Sequence, residues 1–416
     1  MQLKSVKISY SVKDRIERAE FCDLAAAWNE DLALRFETNG HLLMVYLTAK
    51  APVVLKSFCL EAKANIRDKK MLVNGYQAWT ESMELTKNSR LPKLVLPVMT
   101  TYGDYFFYQY SGEPGDLHSY TFTYFYKRSS KTLLMGSIDE RSGYTIFHSK
   151  LRENRLLIHK DCEGLFLDEG STVEFLKIFV SEGAERELWE SYLSFLDQGR
   201  KKLRKCSGWT SWYNYYTHIT EEIISKNLGT LSQAKIPLDI FQIDDGYQKA
   251  VGDWLDINHK FSGGMAKLAA RIKEAGYRPG IWLAPFICER KSRIYKEHPD
   301  WLLRDRYGRP VVAGMNMAWS GEFYALDFYN QDVRVYLERV FRVVLDEWGF
   351  GMVKLDFLYA VSILPCHGKT RALIMTEAMA FLSELIGERW ILGCGVPLEP
   401  AFHHVDYCRI GADVAP

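Results

Sequence analysis

Residues 238–247 read LDIFQIDDGY, a short apolar run that ends in two aspartates, a glycine and a tyrosine. A segment with helical periodicity precedes this run at 220–234, and another follows it at 265–275. A short apolar run between helix-length segments is typical of βαβ units, in which the strands are parallel and buried. The stretch therefore predicts a parallel strand whose carboxyl end carries Asp244 and Asp245.

The same alternation of strand-like and helix-like segments continues from Cys206 toward the end of the chain. The candidate strands are Gly208–Tyr213, Leu238–Ile243, Arg278–Leu283, Gly351–Phe357, Trp390–Gly395 and Val405–Ile410, and the helical segments include Thr220–Ala234, Met265–Ala275, Asp332–Trp348 and Lys369–Glu388. The rhythm predicts a parallel sheet, either a (β/α)8 TIM-type barrel or an open doubly wound sheet. No G-x-G-x-x-G follows the first strand, which weakens a dinucleotide-binding open sheet. Since a barrel has eight strands and only six are counted, we expect a barrel that is incomplete after its sixth strand.

The N-terminal part of the chain has a different pattern. Short, partly alternating runs occur at 32–37, 42–47, 120–126 and 173–180, with turn signals such as Asn39-Gly40 between them. Many short strands with few helical stretches are typical of an antiparallel β-sandwich. We therefore predict three parts, listed in chain order: a β-sandwich domain at 1–183, a linker helix at 184–204 and the barrel at 205–416.

Composition excludes several classes of protein. The length of 416 residues predicts about two or three domains, and the 47% of hydrophobic residues is enough to bury a sizeable core. Their 53 Lys and Arg against 52 Asp and Glu leave a net charge of +1, which argues against a nucleic-acid partner. Apolar runs are too short to predict a membrane span. Eight scattered cysteines with no C-x-x-C pair, and no secretory signal at the start, predict a cytoplasmic protein.

Polar and aromatic side chains gather at the predicted carboxyl ends of the strands, where barrel enzymes place their active groups. These are Trp209, Trp212, Asp244, Asp245, Trp282, Lys354, Asp356, Cys394, Arg409 and Asp413. A structural ion pair would explain Lys354 and Asp356, but parallel strands are normally apolar throughout, so a functional role is favoured. The His403-His404 pair has no partner at metal-ligand spacing, so no metal site is predicted.

Several of these segments together resemble the α-galactosidases of glycoside hydrolase family 36. The segments are GWTSW at 208–212, QIDDGY at 242–247, GIWLAPF at 280–286, KLD at 354–356, the run from Cys394 to RIGAD at 409–413, and NGYQAW at 74–79 in the sandwich. Their order and their strand positions both match that family. The resemblance implies a (β/α)8 barrel, no cofactor and a retaining exo-α-galactosidase that forms a covalent glycosyl-enzyme intermediate.

Roles carried over from that family fall on matching positions of this chain. Asp356 would be the nucleophile and Asp413 the acid/base. Lys354, on the strand of Asp356, would favour the ionised carboxylate that attacks. The resemblance assigns sugar contacts to Trp79, Trp212, Asp244, Asp245, Trp282, Lys354, Cys394 and Arg409, with Asp244 and Asp245 on O4 and O6 of galactose.

Other functions share these motifs. The alternatives are an inactive or fragmentary sugar-binding relative, a transglycosylase, and an α-N-acetylgalactosaminidase of the same fold. Retention of both Asp356 and Asp413 argues against an inactive relative. An open-sheet enzyme for a phosphate or nucleotide ligand would need a Gly-rich phosphate loop, and none is present. The sequence does not decide the aglycone, and it leaves a homo-oligomer open.

Overall fold

The computed structural model describes residues 1–13, 15–80, 82–91, 111–128, 130–196 and 205–411. Its contacts divide the chain into two compact units. The first, here the sandwich unit, comprises the described parts of Met1–Arg200 with Leu364–Glu377 and Pro397–Phe402. The second, here the parallel-sheet unit, comprises those of Lys201–Ile363, Ala378–Val396 and His403–Pro416.

The sandwich unit is built from antiparallel strands. In chain order these are β1 (Gln2–Val12), β2 (Arg15–Phe21), β3 (Leu32–Asn39), β4 (Leu42–Ala49), β5 (Val53–Lys63), β6 (Lys70–Val73), β7 (Met83–Leu85), β8 (Asp116–Tyr120), β9 (Phe122–Tyr126), β10 (Thr132–Asp139), β11 (Tyr144–Lys150), β12 (Arg155–Asp161), β13 (Phe166–Leu167) and β14 (Thr172–Gly183). One sheet has the order β2-β1-β5-β12-β11-β8, with β13 paired to β5, and the other has the order β3-β4-β14-β10-β9-β6-β7. The predicted antiparallel character is confirmed.

Apolar side chains from both sheets share one hydrophobic core. Phe58 on β5 and Phe175 on β14 meet edge to face with their ring centroids 5.0 Å apart. Helix α1 (Glu185–Leu196) covers a smaller cluster, in which Tyr192 is fully buried and donates its hydroxyl to the carbonyl of Ser137 at 2.8 Å. Short 3-10 turns lie at Leu24–Ala26 and Leu151–Glu153.

One strand predicted in this unit is wrong, because the structure divides it into two strands. The run at 120–126 forms two strands, β8 and β9, which belong to different sheets. Thr121 separates them with a φ of 66°, a left-handed conformation that no extended strand adopts. The amide of Thr121 donates to Thr145 and its carbonyl accepts from Ser137, so the chain crosses between the sheets with its polar groups bonded.

Within the described residues, the parallel sheet of the second unit has six strands, and their order follows the sequence. They are β15 (Gly208–Thr210), β16 (Ile240–Ile243), β17 (Arg278–Leu283), β21 (Met352–Leu355), β22 (Trp390–Gly393) and β23 (Tyr407–Cys408), each parallel to its neighbour. All six lie within the predicted segments, and the parallel sheet is therefore confirmed. Every residue of β16 and β21 is buried, as expected for parallel strands covered on both faces.

Helices join consecutive parallel strands. They are α2 (Trp212–Tyr215), α3 (Glu221–Gln233), α4 (Met265–Glu274), α5 (Arg293–Glu297), α6 (Gln331–Arg342), α7 (Arg371–Ile386) and α8 (Leu398–Ala401), with 3-10 turns at His259–Phe261, Pro299–Trp301 and Leu358–Ser362. The Thr220 hydroxyl caps α3 by accepting from the amide of Ile223 at 3.2 Å. The predicted helix at 332–348 ends differently, because α6 passes into a π-helical turn at Val343–Glu347. Among the described helices, none has the length and apolar character needed to cross a bilayer.

An antiparallel insert between β17 and β21 was not predicted. It consists of β18 (Ile287–Glu289), β19 (Val312–Asn316) and β20 (Gly321–Ala325), in the order β18-β20-β19. Its strands are short, and the hairpin between β19 and β20 places residues 317–320 at its tip. This tip contributes to the site described next.

Candidate active site

The carboxyl ends of β16, β17 and β21 form the centre of the site. Because neighbouring parallel strands point the same way, the side chains that follow them meet at one edge of the sheet. Trp282 near the end of β17 is in register with Lys354 on β21. Asp244 and Asp356 directly follow the strands β16 and β21, and both are buried.

Lys354 lies between the two aspartates. Its Nζ is 2.9 Å from Oδ2 of Asp244 and 3.8 Å from Oδ2 of Asp356. Burial opposes the charge of this lysine, but the two carboxylates outweigh burial and raise its pKa. Lys354 therefore stays positive and provides the counter-charge that a buried pair of carboxylates needs.

Asp356 is held by three hydrogen-bond donors. The indole Nε1 of Trp282 donates to Oδ2 at 2.9 Å, and the amide of Phe357 donates to Oδ1 at 3.0 Å. The Cys394 thiol is the third donor. Burial raises the pKa of Asp356, while Lys354, Cys394 and Trp282 oppose that rise. The donors fix the orientation of the carboxylate and favour its ionised form.

Asp244 is bound by a separate set of donors. The Gln242 side-chain amide donates to Oδ2 at 2.6 Å, and the backbone amide of Asp245 donates to Oδ1 at 2.9 Å. The backbone amide of Asp244 donates to the hydroxyl of Ser211 at 2.9 Å. Asp244 therefore links Ser211, directly after β15, with Gln242 on β16 and Lys354 on β21.

Asp245 points to different partners. The Gln248 side-chain amide donates to its Oδ1 at 2.6 Å, and the indole Nε1 of Trp319 donates to its Oδ2 at 2.7 Å. Burial raises the pKa of Asp245 to about 6, although both hydrogen bonds oppose the rise. The pKa of Asp245 therefore lies closer to neutral pH than that of an ordinary aspartate. Its hydrogen bond with Trp319 joins it to the tip of the insert.

The remaining predicted residues are placed as follows. Trp212 begins the short helix after β15, half-buried, with its ring edge-on to Tyr216 at 5.2 Å. Arg409 follows β23, with its guanidinium 5.9 Å from the ring centre of Tyr213. Trp79 belongs to the sandwich unit, where its amide donates to the Gln77 side chain at 2.8 Å. Asp413 lies outside the described residues.

The sequence did not single out three side chains of the site: Gln242, Gln248 and Trp319. Gln242 stands inside an apolar strand, just as Lys354 does, and that anomaly was a usable signal. Gln248 lies two residues beyond the Asp-Asp-Gly turn. Trp319 is 74 residues from Asp245 along the chain, and no local pattern indicates their contact.

The arrangement suits a polyhydroxylated ligand. Buried carboxylates accept hydrogen bonds from hydroxyl groups, and indole faces pack on C–H surfaces. Trp282 contacts Trp254 edge-on at 5.5 Å and Trp319 at 6.2 Å, so aromatic rings surround the carboxylates. Within the part of the chain that the structure describes, no group of three or more His, Cys, Asp or Glu is placed to hold a metal ion.

Comparisons with known proteins show which family the chain is similar to. The Melibiase family model matches residues 207–381. The bifunctional α-galactosidase/sucrose kinase AgaSK of Mediterraneibacter gnavus is 29% identical over 36% of this chain, and the α-galactosidase AgaA of Geobacillus stearothermophilus is 28% identical over 35%. These alignments cover 16% of the first relative and 20% of the second, so the matched part of this chain spans at most a fifth of either protein.

A solved structure matches over a much larger share of both chains. The α-galactosidase TtGalA of Thermus thermophilus, in complex with p-nitrophenyl α-D-galactopyranoside, is 30% identical with a TM-score of 0.73. The match covers 92% of this chain and 73% of that one. The chain therefore belongs to the glycoside hydrolase family 36 α-galactosidases.

Proposed function

We propose that the protein hydrolyses terminal α-D-galactosyl residues of oligosaccharides with retention of configuration. The observation that carries this proposal is the buried carboxylate of Asp356, which Trp282, Phe357 and Cys394 hold in one orientation beside the Lys354 cation. A carboxylate must be both ionised and fixed to attack an anomeric carbon. Asp356 is the nucleophile of this proposal.

The second carboxyl group of the mechanism is Asp413, on the strength of its place in the RIGAD motif after the sixth strand. It protonates the leaving oxygen and then removes a proton from the incoming water. In a retaining enzyme the two carboxyl groups lie about 5–5.5 Å apart across the scissile bond. We therefore expect Asp413 at that separation from Asp356.

Recognition of the sugar falls to the other polar groups of the site. Asp244 and Asp245 accept hydrogen bonds from the hydroxyls at O4 and O6, and Lys354 donates to a neighbouring hydroxyl. Asp245, whose pKa is about 6, is mostly ionised at neutral pH and then only accepts. The remaining sugar contacts proposed are Trp79, Trp212, Trp282, Cys394 and Arg409.

The proposal extends to the architecture. Six parallel strands in sequential order, joined by helices, support a (β/α)8 barrel that starts near residue 205, after a β-sandwich at 1–183 and a linker helix at 184–204. A cytoplasmic location is proposed from the scattered cysteines.

The test is hydrolysis of p-nitrophenyl α-D-galactopyranoside by the full-length protein, followed by NMR. The α-anomer of galactose should appear first and then mutarotate. The α-glucoside and the α-N-acetylgalactosaminide serve as controls, and both should react at least about 100-fold more slowly. Release of β-galactose first, or faster turnover of either control substrate, would overturn the proposal.

A further inference from the structure

Glu289 ends the first strand of the insert, and it is only 1% exposed. Its Oε1 accepts from the amide of Val251 at 2.9 Å, and its Oε2 accepts from the amide of Ser320 at 2.8 Å. Val251 follows the Asp-Asp-Gly turn, and Ser320 lies at the tip of the insert. One buried carboxylate therefore joins the loop after β16 to the tip of the hairpin.

Ser320 is the residue next to Trp319, whose indole donates to Asp245. A second contact fixes the same tip, because the Lys291 amide donates to the Ser320 hydroxyl at 3.3 Å. On the other side, the Glu289 amide donates to the Val251 carbonyl at 3.0 Å, so Glu289 and Val251 are bonded twice. Glu289 therefore binds two segments next to Asp245: the loop that carries Asp245 itself, through Val251, and the hairpin tip that carries Trp319, through Ser320.

We propose that Glu289 is a positioning residue that holds Trp319 against Asp245 and thereby controls the protonation of that aspartate. Only an ionised or strongly accepting group can satisfy two buried amide donors that come from different loops. Lys291 supplies a nearby positive charge, with its Nζ 3.5 Å from Oε1. The consequence for galactoside binding rests on the proposed function, but the positioning itself does not.

The charged groups around Asp245 allow the proposal to be tested by the direction in which the pKa of Asp245 changes. Asp244 and Glu289 each raise the pKa of Asp245 through their negative charge, whereas the hydrogen bonds from Gln248 and Trp319 lower it. Burial lowers the pKa of Lys260, and the negative charge of Asp245 opposes that decrease. Removing the charge of Glu289 alone would therefore lower the pKa of Asp245, and losing the Trp319 hydrogen bond would raise it.

The decisive variant is Glu289→Gln, studied by NMR with labelled tryptophan indole and glutamine amide groups. Its amide oxygen accepts from one backbone N–H, and its amide nitrogen cannot accept from the other. We expect the Trp319 indole resonance, assigned with Trp319→Phe, to lose its pH-dependent shift. The Gln248 side-chain amide, which stays on Asp245, should report a titration midpoint at higher pH than in the wild type.

Glu322→Gln is the matched control, since Glu322 lies in the same insert and accepts from Tyr324 at 2.7 Å. It should leave the Trp319 resonance and the Asp245 midpoint unchanged. Glu289→Asp keeps the charge but is one methylene shorter, so it should raise the midpoint at least as much as Glu289→Gln. An unmoved indole resonance in folded Glu289→Gln, or a midpoint at lower pH, would overturn the proposal.

Binding of galactose, followed in the same spectra, separates this inference from the proposed function. If Asp245 binds the sugar, Glu289→Gln should weaken galactose roughly three- to tenfold, as expected for one impaired hydrogen bond. A displaced Trp319 resonance with unchanged galactose affinity would support the positioning role and contradict Asp245 as a sugar ligand.

Discussion

Lys354 in the parallel-sheet unit and Lys160 in the sandwich unit are both buried near carboxyl groups, yet their pKa values move in opposite directions. Lys354 directly contacts Asp244 at 2.9 Å, and the carboxylates raise its pKa. Lys160 donates to the carbonyls of Asp139 at 3.2 Å and Gly143 at 2.7 Å, and burial lowers its pKa.

The partners explain the difference. Neutral oxygens satisfy the hydrogen bonds of Lys160, but they do not replace the full solvation of a charge. The buried carboxyl beside it, Glu140, has its pKa raised to about 7 by burial. Burial therefore shifts the pKa values of Lys160 and Glu140 in the sandwich unit toward their neutral forms, whereas the carboxylates around Lys354 in the parallel-sheet unit favour its charged form.

The largest expected effect is the loss of the nucleophile. In the full-length protein, Asp356→Ala should reduce kcat/KM on α-galactosides by at least about 10⁴-fold, with good and poor leaving groups alike, because no glycosyl-enzyme forms. Asp413→Ala is the matched variant. It should still be glycosylated by a dinitrophenyl α-galactoside, and azide should restore turnover as α-galactosyl azide, because azide attacks the β-linked glycosyl-enzyme from the opposite face. In Asp356→Ala, azide could attack only directly and would give the inverted product, β-galactosyl azide; α-galactosyl azide from Asp356→Ala instead would reverse the two roles.

The second prediction concerns the two lysines directly. Lys354→Met removes the counter-charge of two buried carboxylates and should cost about 3–5 kcal/mol in the free energy of unfolding at pH 7. Lys160→Met leaves mainly neutral acceptors unsatisfied and should cost about 1–3 kcal/mol. Urea unfolding of both variants measures the difference. Equal losses would show that the charge of Lys160 matters as much as that of Lys354.

The third prediction is a pH dependence of the sandwich unit. The pKa of Glu140 in the folded protein, about 7, exceeds its usual value of 4.5, so its stabilising contribution is fully present below about pH 4.5 and is lost as the pH rises through 7. Glu140→Gln removes that loss. It should match the wild type at pH 4.5 and exceed it by a few kcal/mol above pH 7.

Urea unfolding across this pH range tests the third prediction. Glu153→Gln is the control, because Glu153 is exposed in the same unit. Its stability should differ from that of the wild type by the same small amount at every pH. If the stability of Glu140→Gln changed with pH in the same way as that of the wild type, Glu140 would not titrate near pH 7 in the folded protein.

The smallest effect is expected from the thiols. Cys394 lowers the pKa of Asp356 through its hydrogen bond, so Cys394→Ala should shift the acidic limb of kcat/KM to higher pH. Activity at a pH on that limb should fall by a factor of about 3 to 10. Cys162→Ala, in the core of the sandwich unit, should leave the pH profile unchanged. Identical profiles for both variants would exclude Cys394 from the carboxylate network.

Much of the fold follows from local patterns. The alternation of short apolar runs and helical segments predicted all six parallel strands, because the strands of a parallel sheet are mostly apolar and are joined by helices. The break at Thr121 was missed, since a single left-handed residue leaves no trace in an apolar pattern. The insert was missed because β19 and β20 form a hairpin with no helix between them, so they do not follow the alternation of strands and helices.

The sequence by itself determined which polar residues interrupt buried strands and follow their ends, and it placed Asp244, Lys354 and Asp356 at one edge of a parallel sheet. Only the tertiary structure decided which of them touch. Lys354 contacts Asp244 across 110 residues, and Trp319 contacts Asp245 across 74. Contacts of that separation depend on how strands and inserted loops pack, whereas periodicity records only which face of its own element a residue occupies.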